Sequence, residues 1–354
     1  MGTPFASIVM PAYNAATFLQ KTLNAALSQT FRDFELIIVD DASSDGTAKL
    51  AAGFGDSRIR LIQHERNKGV AGATNTGLHA ARGQYIIMMD HDDVSMPDRL
   101  ERQITFLEAH PEIDGCGGAH VLLSGRAWLD TARAVWKTRR SRMISAGEVA
   151  ASSLWGGQLF NPTVCFRTNV LQRLDQWWDE RFSVGADDEF YGRLIGAGAA
   201  LCVLPDVVLR YRRHRASLSL RSRQEAKKAR SAVALAGLAR LLPDAAEAQK
   251  KLHVLIAQRD YGLTPDLLPE VTAYMEALLD ANAKSGRFDE KALKRVMSRH
   301  WSRVCALAGC QDLKAAYRAY YSFAPLRPFV GSPAFFLYQW QKRRLVPASR
   351  RNAR

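Results

Sequence analysis

"YIIMMDHDDVSMPDRL", residues 85–100, runs an apolar segment into three carboxylates, Asp90, Asp92 and Asp93. Tyr85 to Met89 has the length and composition of a buried strand, so the acids fall at its tip. The chain around them is basic, with 49 Lys+Arg against 35 Asp+Glu. Two explanations suit such a tip. Asp93 or Ser95 caps a helix entered at Pro97, or the acids hold a hard cation that takes oxygen ligands, Mg²⁺ or Mn²⁺.

Working outward, the first 125 residues alternate between two periodicities. β-type runs occur at "SIVM" (7–10), "FELIIVD" (34–40), "RIRLIQ" (58–63), "YIIMMD" (85–90) and "GAHVLL" (118–123). Between the first two, Phe18, Leu19, Thr22, Leu23, Ala26 and Leu27 share one face at helical spacing. "VAGATNTGLHAARG" (70–83) reads as a helix stopped by Gly83, and "MPDRLERQITFLEAHPE" (96–112) as one with Pro97 in its first turn. Alternation of this kind predicts an α/β sheet of parallel strands with right-handed crossovers. Ligands collect at the carboxyl ends of such strands, where both acid motifs lie.

Residues 126–220 are less regular and hold a second acidic cluster, "VGADDEFYGRL" (184–194). From about 221 the chain reads as helical, with "RQEAKKARSAVALAGLARLL" (223–242) its clearest amphipathic segment. The division expected is therefore 1–125, 126–220 and 221–354. Apolar residues make up 47% of the chain, enough for a substantial core, and the net charge of +14 implies an anionic partner. Five cysteines without a CxxC pair suit a reducing compartment and buried packing roles. The amino-terminal segment lacks a basic stretch before its apolar run, so no signal peptide is expected. With Ala6 where Ser or Thr is required, it also misses the myristoylation pattern. The uncharged stretch 149–166 is too polar to span a membrane.

Further motifs flank these strands. "PAYN" (Pro11, Ala12, Tyr13, Asn14) closes the first, with Asn14 as a helix N-cap or Tyr13 against a nucleobase. "ELIIVDDASSDGT" (35–47) offers Asp40 and Asp41 as turn residues or as acceptors for a base N–H. "ERNKGVAGATNTG" (65–77) supplies Asn67, Lys68 and Gly69, then Asn75 and Gly77, with Lys68 able to meet phosphate and the glycines to allow close approach.

In this order the motifs resemble the family 2 glycosyltransferases of the GT-A fold, a Rossmann-like nucleotide-diphospho-sugar transferase architecture, here with a mainly helical carboxy-terminal extension. The resemblance covers residues 5–125 and continues to about 219 through "NPTVCFRTNVL" (161–171), "GADDEFYGRL" and "LRYRRHRASLS" (209–219). It implies an inverting, metal-dependent transfer of a sugar from a nucleotide-sugar donor, UDP-linked by first expectation, to a glycan or lipid-linked acceptor in surface polysaccharide synthesis. GDP- or dTDP-sugars are the alternative donors. The implied roles are a base contact for Asp40 or Asp41 and metal binding by Asp92, with Asp90 beside the ribose or a metal-bound water. His91 would lie beside the sugar phosphate or serve structure. His214 would meet pyrophosphate or metal, with Arg212, Arg213 and Arg215 near the phosphates. The catalytic base would be Asp187, with Asp188 as runner-up, and Glu189 would support the acceptor or the loop. The cofactor implied is Mn²⁺ or Mg²⁺.

Trp155, Trp177 and Trp178 are candidates for an acceptor face or for core packing. The stretch from about Arg318 to Arg354, basic and aromatic, suits an anionic membrane surface. The expected location is cytoplasmic, peripheral at the inner face of the membrane. A nucleic-acid-binding protein would also be basic, but it would leave the acidic strand ends unexplained, so no nucleic-acid partner is expected.

Overall fold

The computed structural model describes residues 2–124, 127–157, 159–214, 222–258, 263–332, 336–337 and 340–341. The chain divides into two compact units, Met1–Val149 with Gln158–Ala229, and Ala150–Gly157 with Arg230–Arg354.

The first unit is built on one sheet. Its strands are β1 (Ala6–Ala12), β2 (Phe34–Asp40), β3 (Ile59–Gln63), β4 (Tyr85–Met88), β5 (Val94–Ser95), β6 (Gly115–Leu122), β7 (Cys165–Arg167) and β8 (Leu201–Tyr211), in spatial order β3-β2-β1-β4-β7-β6-β8-β5. β3, β2, β1 and β4 run parallel as the alternation predicts. The all-parallel expectation fails beyond them, because β7 runs antiparallel between β4 and β6, and β5 antiparallel to β8. A three-residue and a two-residue strand are too short to leave a periodic signal. β6 and β8 are again parallel to each other. The carboxyl ends of β1, β2, β4, β6 and β8 therefore share one edge.

All seven residues of β2 are buried, as expected of a strand covered on both faces. Leu36 and Ile38 pack in one cluster with Leu19 and Leu23 of α1 (Ala16–Leu27). Ile37 and Val39 pack with Ala73 of α3 (Gly69–Ala80); between these helices in the chain lies α2 (Thr47–Ala52). Gly77 sets the approach of α3, since a Cβ there would stand 2.5 Å from Val9 Cγ1.

Two expectations about helix ends change. α3 ends at Ala80, and Gly83 is required instead because a Cβ would stand 2.5 Å from the Ala6 carbonyl carbon. α4 (Arg99–Ala109) begins two residues after Pro97, and neither Asp93 nor Ser95 caps it. Ser95 Oγ instead accepts from Arg99 Nη1 (3.2 Å), and Asp93 is turned inward. The rest of this unit includes α5 (Ala127–Arg140), α6 (Ala146–Ser152, whose last residues belong to the second unit) and α7 (Ala186–Gly196).

The second unit is helical, with Glu247–Gln258, Leu268–Ser285, Glu290–Ala308 and Leu313–Ser322 joined by most of Arg223–Leu241. Its core holds Trp301, Tyr274, Met275 and Tyr320, and Trp155 from the inserted segment 150–157. Asp289 and Asp312 cap two of its helices through the amides of Ala292 and Ala315. No helix among the described residues is long and apolar enough to cross a membrane. Most of the aromatic basic stretch beyond residue 332 lies outside the described residues.

Candidate active site

Opposite edges of the sheet treat their acids differently. At the amino edge, Glu35 is buried and receives hydrogen bonds from Ser7 (2.8 Å), Arg60 (2.6 Å) and Arg82 (2.8 Å). Burial works to raise its pKa, but these donors prevail and hold it below the usual carboxylate range. It is a satisfied structural acid. At the carboxyl edge, one oxygen from each of Asp90, Asp92 and Asp93 lies within 4.8 Å of the others, and for Asp90 and Asp93 burial outweighs the nearby donors and cations. Burial and then the charges of Asp93, Asp92 and Asp187 push Asp90 well above the carboxylate range, only partly offset by Arg99. Asp93 is pushed up to about 7, by burial first and by Asp92.

Asp93 Oδ1 accepts from the Arg212 amide (2.8 Å), while its buried Oδ2 has no partner. Arg212 Nη2 is likewise buried without one, although Arg212 Nε donates to the Asp92 carbonyl (2.7 Å). Unpartnered buried polar atoms cost about 1–3 kcal/mol each, more for charged groups, so a ligand that engaged these two would relieve that cost. Three carboxylates with an open oxygen fit a hard divalent cation. His214 donates from Nε2 to Asp92 Oδ2 (2.7 Å), and Phe18 of α1 supports both His214 (ring centroids 4.6 Å apart) and the Arg212 guanidinium (4.8 Å). The helical spacing assigned Phe18 to the apolar face, and nothing in it signalled this second contact. Asp93, read as a cap, also belongs to the cluster.

Behind the acids sits Arg99, fully buried. Its guanidinium donates to Gln103 Oε1 (3.0 Å), Ser95 Oγ and the Met88 carbonyl (2.9 Å), tying the end of β4 to α4. Asp187 enters from the first turn of α7, after Gly185 in a left-handed conformation (φ 79°). Burial raises the Asp187 pKa, although the amides of Asp188 and of Asp187 itself oppose the rise, and its charge is felt at Asp90. Asp188 follows it in the same turn. Glu189 is spent on Arg193 (2.5 Å), which also donates to the Gln176 carbonyl (2.5 Å) and so clamps the preceding loop.

At the end of β2 the two aspartates part company. Asp41 Oδ1 accepts from His64 Nδ1 (2.7 Å) and the Lys68 amide (2.8 Å), while Asn67 donates to the Asp41 carbonyl (3.1 Å). His64 Nε2 lies 2.9 Å from Thr76 Oγ1. Asp40 is buried with its Oδ1 unpartnered. Gly69 opens α3 with φ 74°, which favours glycine there. Asn14 is not the N-cap of α1, a place taken by Ala15. With φ 49°, Asn14 accepts from the Ser44 amide (3.0 Å), while Thr47 and Asp45 receive the Ala15 and Ala16 amides (2.8 and 3.0 Å). The loops after β1 and β2 are thereby stapled together, leaving Tyr13 half-exposed and Pro11 and Ala12 buried. His91 lies with Nδ1 3.2 Å from the Pro11 carbonyl, joining the tips of β4 and β1.

Other expected residues sit elsewhere. The Asn75 amide is committed to the Trp178 backbone, donating to its carbonyl (2.9 Å) and accepting from its N–H (3.0 Å). With Arg66, Lys68, His79 and Glu180, among others, Asn75 lines a cleft of about 740 Å³ that contains none of the tip acids. Trp155 packs in the second unit's core, and Trp178 is buried against Phe190. Neither forms an acceptor face. Trp177 packs against His79 at a tilt (ring centroids 4.3 Å apart) and donates to the Leu171 carbonyl (3.1 Å). Arg213 is exposed, and Arg215 lies outside the described residues.

Comparison with known proteins finds relatives of the sequence and of the fold. The sequence model of glycosyl transferase family 2 matches residues 7–150. The putative glycosyltransferase EpsE of Bacillus subtilis is 43% identical over 110 residues, covering 30% of this chain and 40% of the relative. The Escherichia coli UDP-Glc:alpha-D-GlcNAc-diphosphoundecaprenol beta-1,3-glucosyltransferase WfgD is 43% identical over 101 residues, 28% of this chain and 40% of the relative. The matched segment thus spans less than half the length of either. Among solved structures, Staphylococcus aureus TarS 1–349 in complex with UDP aligns with TM-score 0.51 at 18% identity, covering 92% of this chain and 89% of that one. The mannosyltransferase PcManGT of Pyrobaculum calidifontis, in complex with GDP-Man and Mn²⁺, aligns with TM-score 0.51 at 19% identity, covering 98% and 88%. At such identity the likeness carries the fold, which is GT-A.

Proposed function

Residues 7–150 of this chain form a family 2 glycosyltransferase segment, and from that premise we propose that the protein is an inverting, metal-dependent glycosyltransferase. Its donor is a nucleotide sugar, UDP-linked by preference, and its acceptor a hydroxyl of a glycan or lipid-linked sugar in surface polysaccharide synthesis. The observation that carries this reading is the close cluster of Asp90, Asp92 and Asp93, with a buried open oxygen on Asp93 and the charge of Asp187 from another segment felt at Asp90.

In the proposed site, Asp41, held by His64 and the Lys68 amide, offers its second oxygen to a base N–H. Asp40, with its open Oδ1, is the alternative. Tyr13 flanks the base, and Lys68, Gly69 and Arg212 face the phosphates. Mg²⁺ or Mn²⁺, held by Asp92 and Asp90 with Asp93 and His214 beside them, would supply Lewis-acid stabilisation of the negative charge that develops on the departing diphosphate. Asp187 takes the proton of the acceptor hydroxyl as its oxygen bonds to the anomeric carbon. The bond from that carbon to the diphosphate oxygen breaks, and its electron pair leaves with the diphosphate. Attack opposite the leaving group inverts the anomeric centre. A pKa raised by burial suits a general base, which works best when matched to the ambient pH. Asp188 is the runner-up for this role. The UDP preference draws support from WfgD and TarS, while the GDP-Man complex of PcManGT keeps a guanine donor as the alternative.

Thermal unfolding with UDP, GDP or dTDP, with and without Mn²⁺, tests the reading. Stabilisation by one diphosphate that needs Mn²⁺ and disappears in Asp92→Ala is expected. Stabilisation by an oligonucleotide and by no nucleoside diphosphate would sink it. With a working donor, Asp187→Asn should abolish transfer. Full transfer by Asp187→Asn, with loss in Asp188→Asn, would move the base by one residue.

A further inference from the structure

Three aromatic rings stand together beyond the acids. His120 near the end of β6 lies 4.4 Å from Phe160, and Tyr211, the last residue of β8, lies 5.1 Å from Phe160 at a near-perpendicular angle and 5.9 Å from His120. All three are partly exposed, and Leu122 beside them is 49% exposed. The strand directions put this cluster on the same edge as Asp90. β4 and β6 both run antiparallel to β7, and β8 is parallel to β6. Residue 160 lies just before β7, at the same end. The next residue, Asn161, accepts from the hydroxyl of Tyr191 (2.9 Å), which feels the charges of Asp187 and Asp90. Tyr211 leads directly into Arg212, whose amide holds Asp93.

Position along the edge separates this cluster from the nucleotide end. In the strand order, Asp40 and Asp41 stand two strands from β4 on one side, while His120 stands two strands away on the other. The acids themselves lead into β5, which pairs with β8 at Arg210, and Asp93 accepts from the amide next to Tyr211, so the rings border the metal cluster on the side away from Asp40 and Asp41. We propose that His120, Phe160 and Tyr211 form the subsite that stacks a pyranose ring of the acceptor, a deepening that rests on the glycosyltransferase reading above. The C–H face of a sugar is apolar and packs on an aromatic face while its hydroxyls stay in water. Burial, with Lys137 nearby, lowers the His120 pKa to about 4, so its ring is neutral at physiological pH and suits an uncharged sugar.

Saturation-transfer NMR on the full chain, with UDP and Mn²⁺ present, tests the subsite using methyl β-D-glucopyranoside, methyl α-D-mannopyranoside and methyl N-acetyl-β-D-glucosaminide as probes. Irradiation of aromatic protons should mark the ring protons of at least one probe. Phe160→Ala and Tyr211→Leu should weaken that signal roughly threefold to tenfold, the range expected for losing one aromatic contact. Phe160→Tyr should keep it, and UDP stabilisation should be the same in all these variants. Silence from every probe with the wild-type chain, or equal signals in the alanine and leucine variants, would overturn the subsite. Loss of UDP stabilisation together with the sugar signal would also overturn it, by assigning the rings to the donor. Sugar contact without UDP stabilisation of the wild type would instead count against the donor reading and leave the sugar contact standing.

Discussion

Single residues carry opposite electrostatic tasks in the two units. Arg99 is a buried cation whose hydrogen-bond partners are neutral, and Asp90 and Asp93 are its neighbouring charges. Arg99→Met leaves the Met88 carbonyl without this donor and takes away the buried cation that Asp90 and Asp93 share, a loss expected at about 3–5 kcal/mol. Thermal unfolding should register it, and Arg99→Lys should recover only part, because an ammonium cannot reproduce the planar fork. An Arg99→Met chain as stable as wild type would show that the acids do not need it. In the second unit, His253 donates from Nε2 to the Leu154 carbonyl (2.7 Å) and accepts at Nδ1 from Tyr274 (2.5 Å). Burial lowers its pKa to about 4 from 6.5, although hydrogen bonds to the Leu154 and Ala234 carbonyls oppose this. Between those values the unfolded chain binds a proton that the folded chain refuses. Stability contributed by this residue therefore falls as pH drops from about 6.5 towards 4, by about 3 kcal/mol in all. Urea unfolding at pH 7 and pH 4.5 should show the loss, and His253→Gln should flatten that part of the profile. The sequence made Asp92 and Asp187 stand out as candidates because acids at strand and helix ends are visible locally. It hid His253 and Phe18, whose partners lie far along the chain.

At the scale of elements, helix-to-strand approach depends on glycines whose neighbours differ in how far they yield. A Cβ at Gly77 would meet Val9 Cγ1 at 2.5 Å, a buried side chain that can turn only into a filled core. At Gly83 it would meet the Ala6 carbonyl carbon at 2.5 Å, Ala6 Cα at 2.7 Å and the Ser7 nitrogen at 2.7 Å, all backbone atoms of β1. Overpacking typically costs about 1–3 kcal/mol. Gly77→Ala should fall in that range, and Gly83→Ala above it, because β1 cannot move without breaking its pairing to β2 and β4. The order of the two melting temperatures is the check; Gly83→Ala melting above Gly77→Ala would contradict it. Here the sequence signalled a special position and misled about the reason, since a glycine near a helix end reads as a stop. The four leading strands were legible from β-branched and aliphatic runs. β5 and β7 were not, because strands of two and three residues owe their conformation to their neighbours in the sheet.

On the scale of the whole molecule, the chain leaves the first unit at residue 150, returns at 158 and leaves again at 230. Composition marks the helical region from about 221 but gives no sign that Ala150–Gly157 belongs with it. In the second unit Trp155 is 3% exposed and Leu154 fully buried, with Trp155 stacked against His253 (5.5 Å) and tilted against His300 (4.4 Å). A Cβ at Gly237 would stand 2.6 Å from the Leu154 carbonyl oxygen, so the helix there is fitted to this segment. A fragment beginning at Arg230 lacks all of it. Its core loses a buried tryptophan, worth about 3–5 kcal/mol even when only truncated to alanine, and His253 loses an acceptor. The fragment 230–354 should therefore melt well below the corresponding transition of the full chain. Attaching residues 150–157 to its amino terminus through a flexible Gly/Ser linker should restore most of the difference. The same fusion carrying Trp155→Ala should restore little. Equal melting of the bare fragment and the fusion would mean that the segment adds nothing to the second unit's stability, and that its burial there follows from the fold of the remaining helices rather than contributing to it.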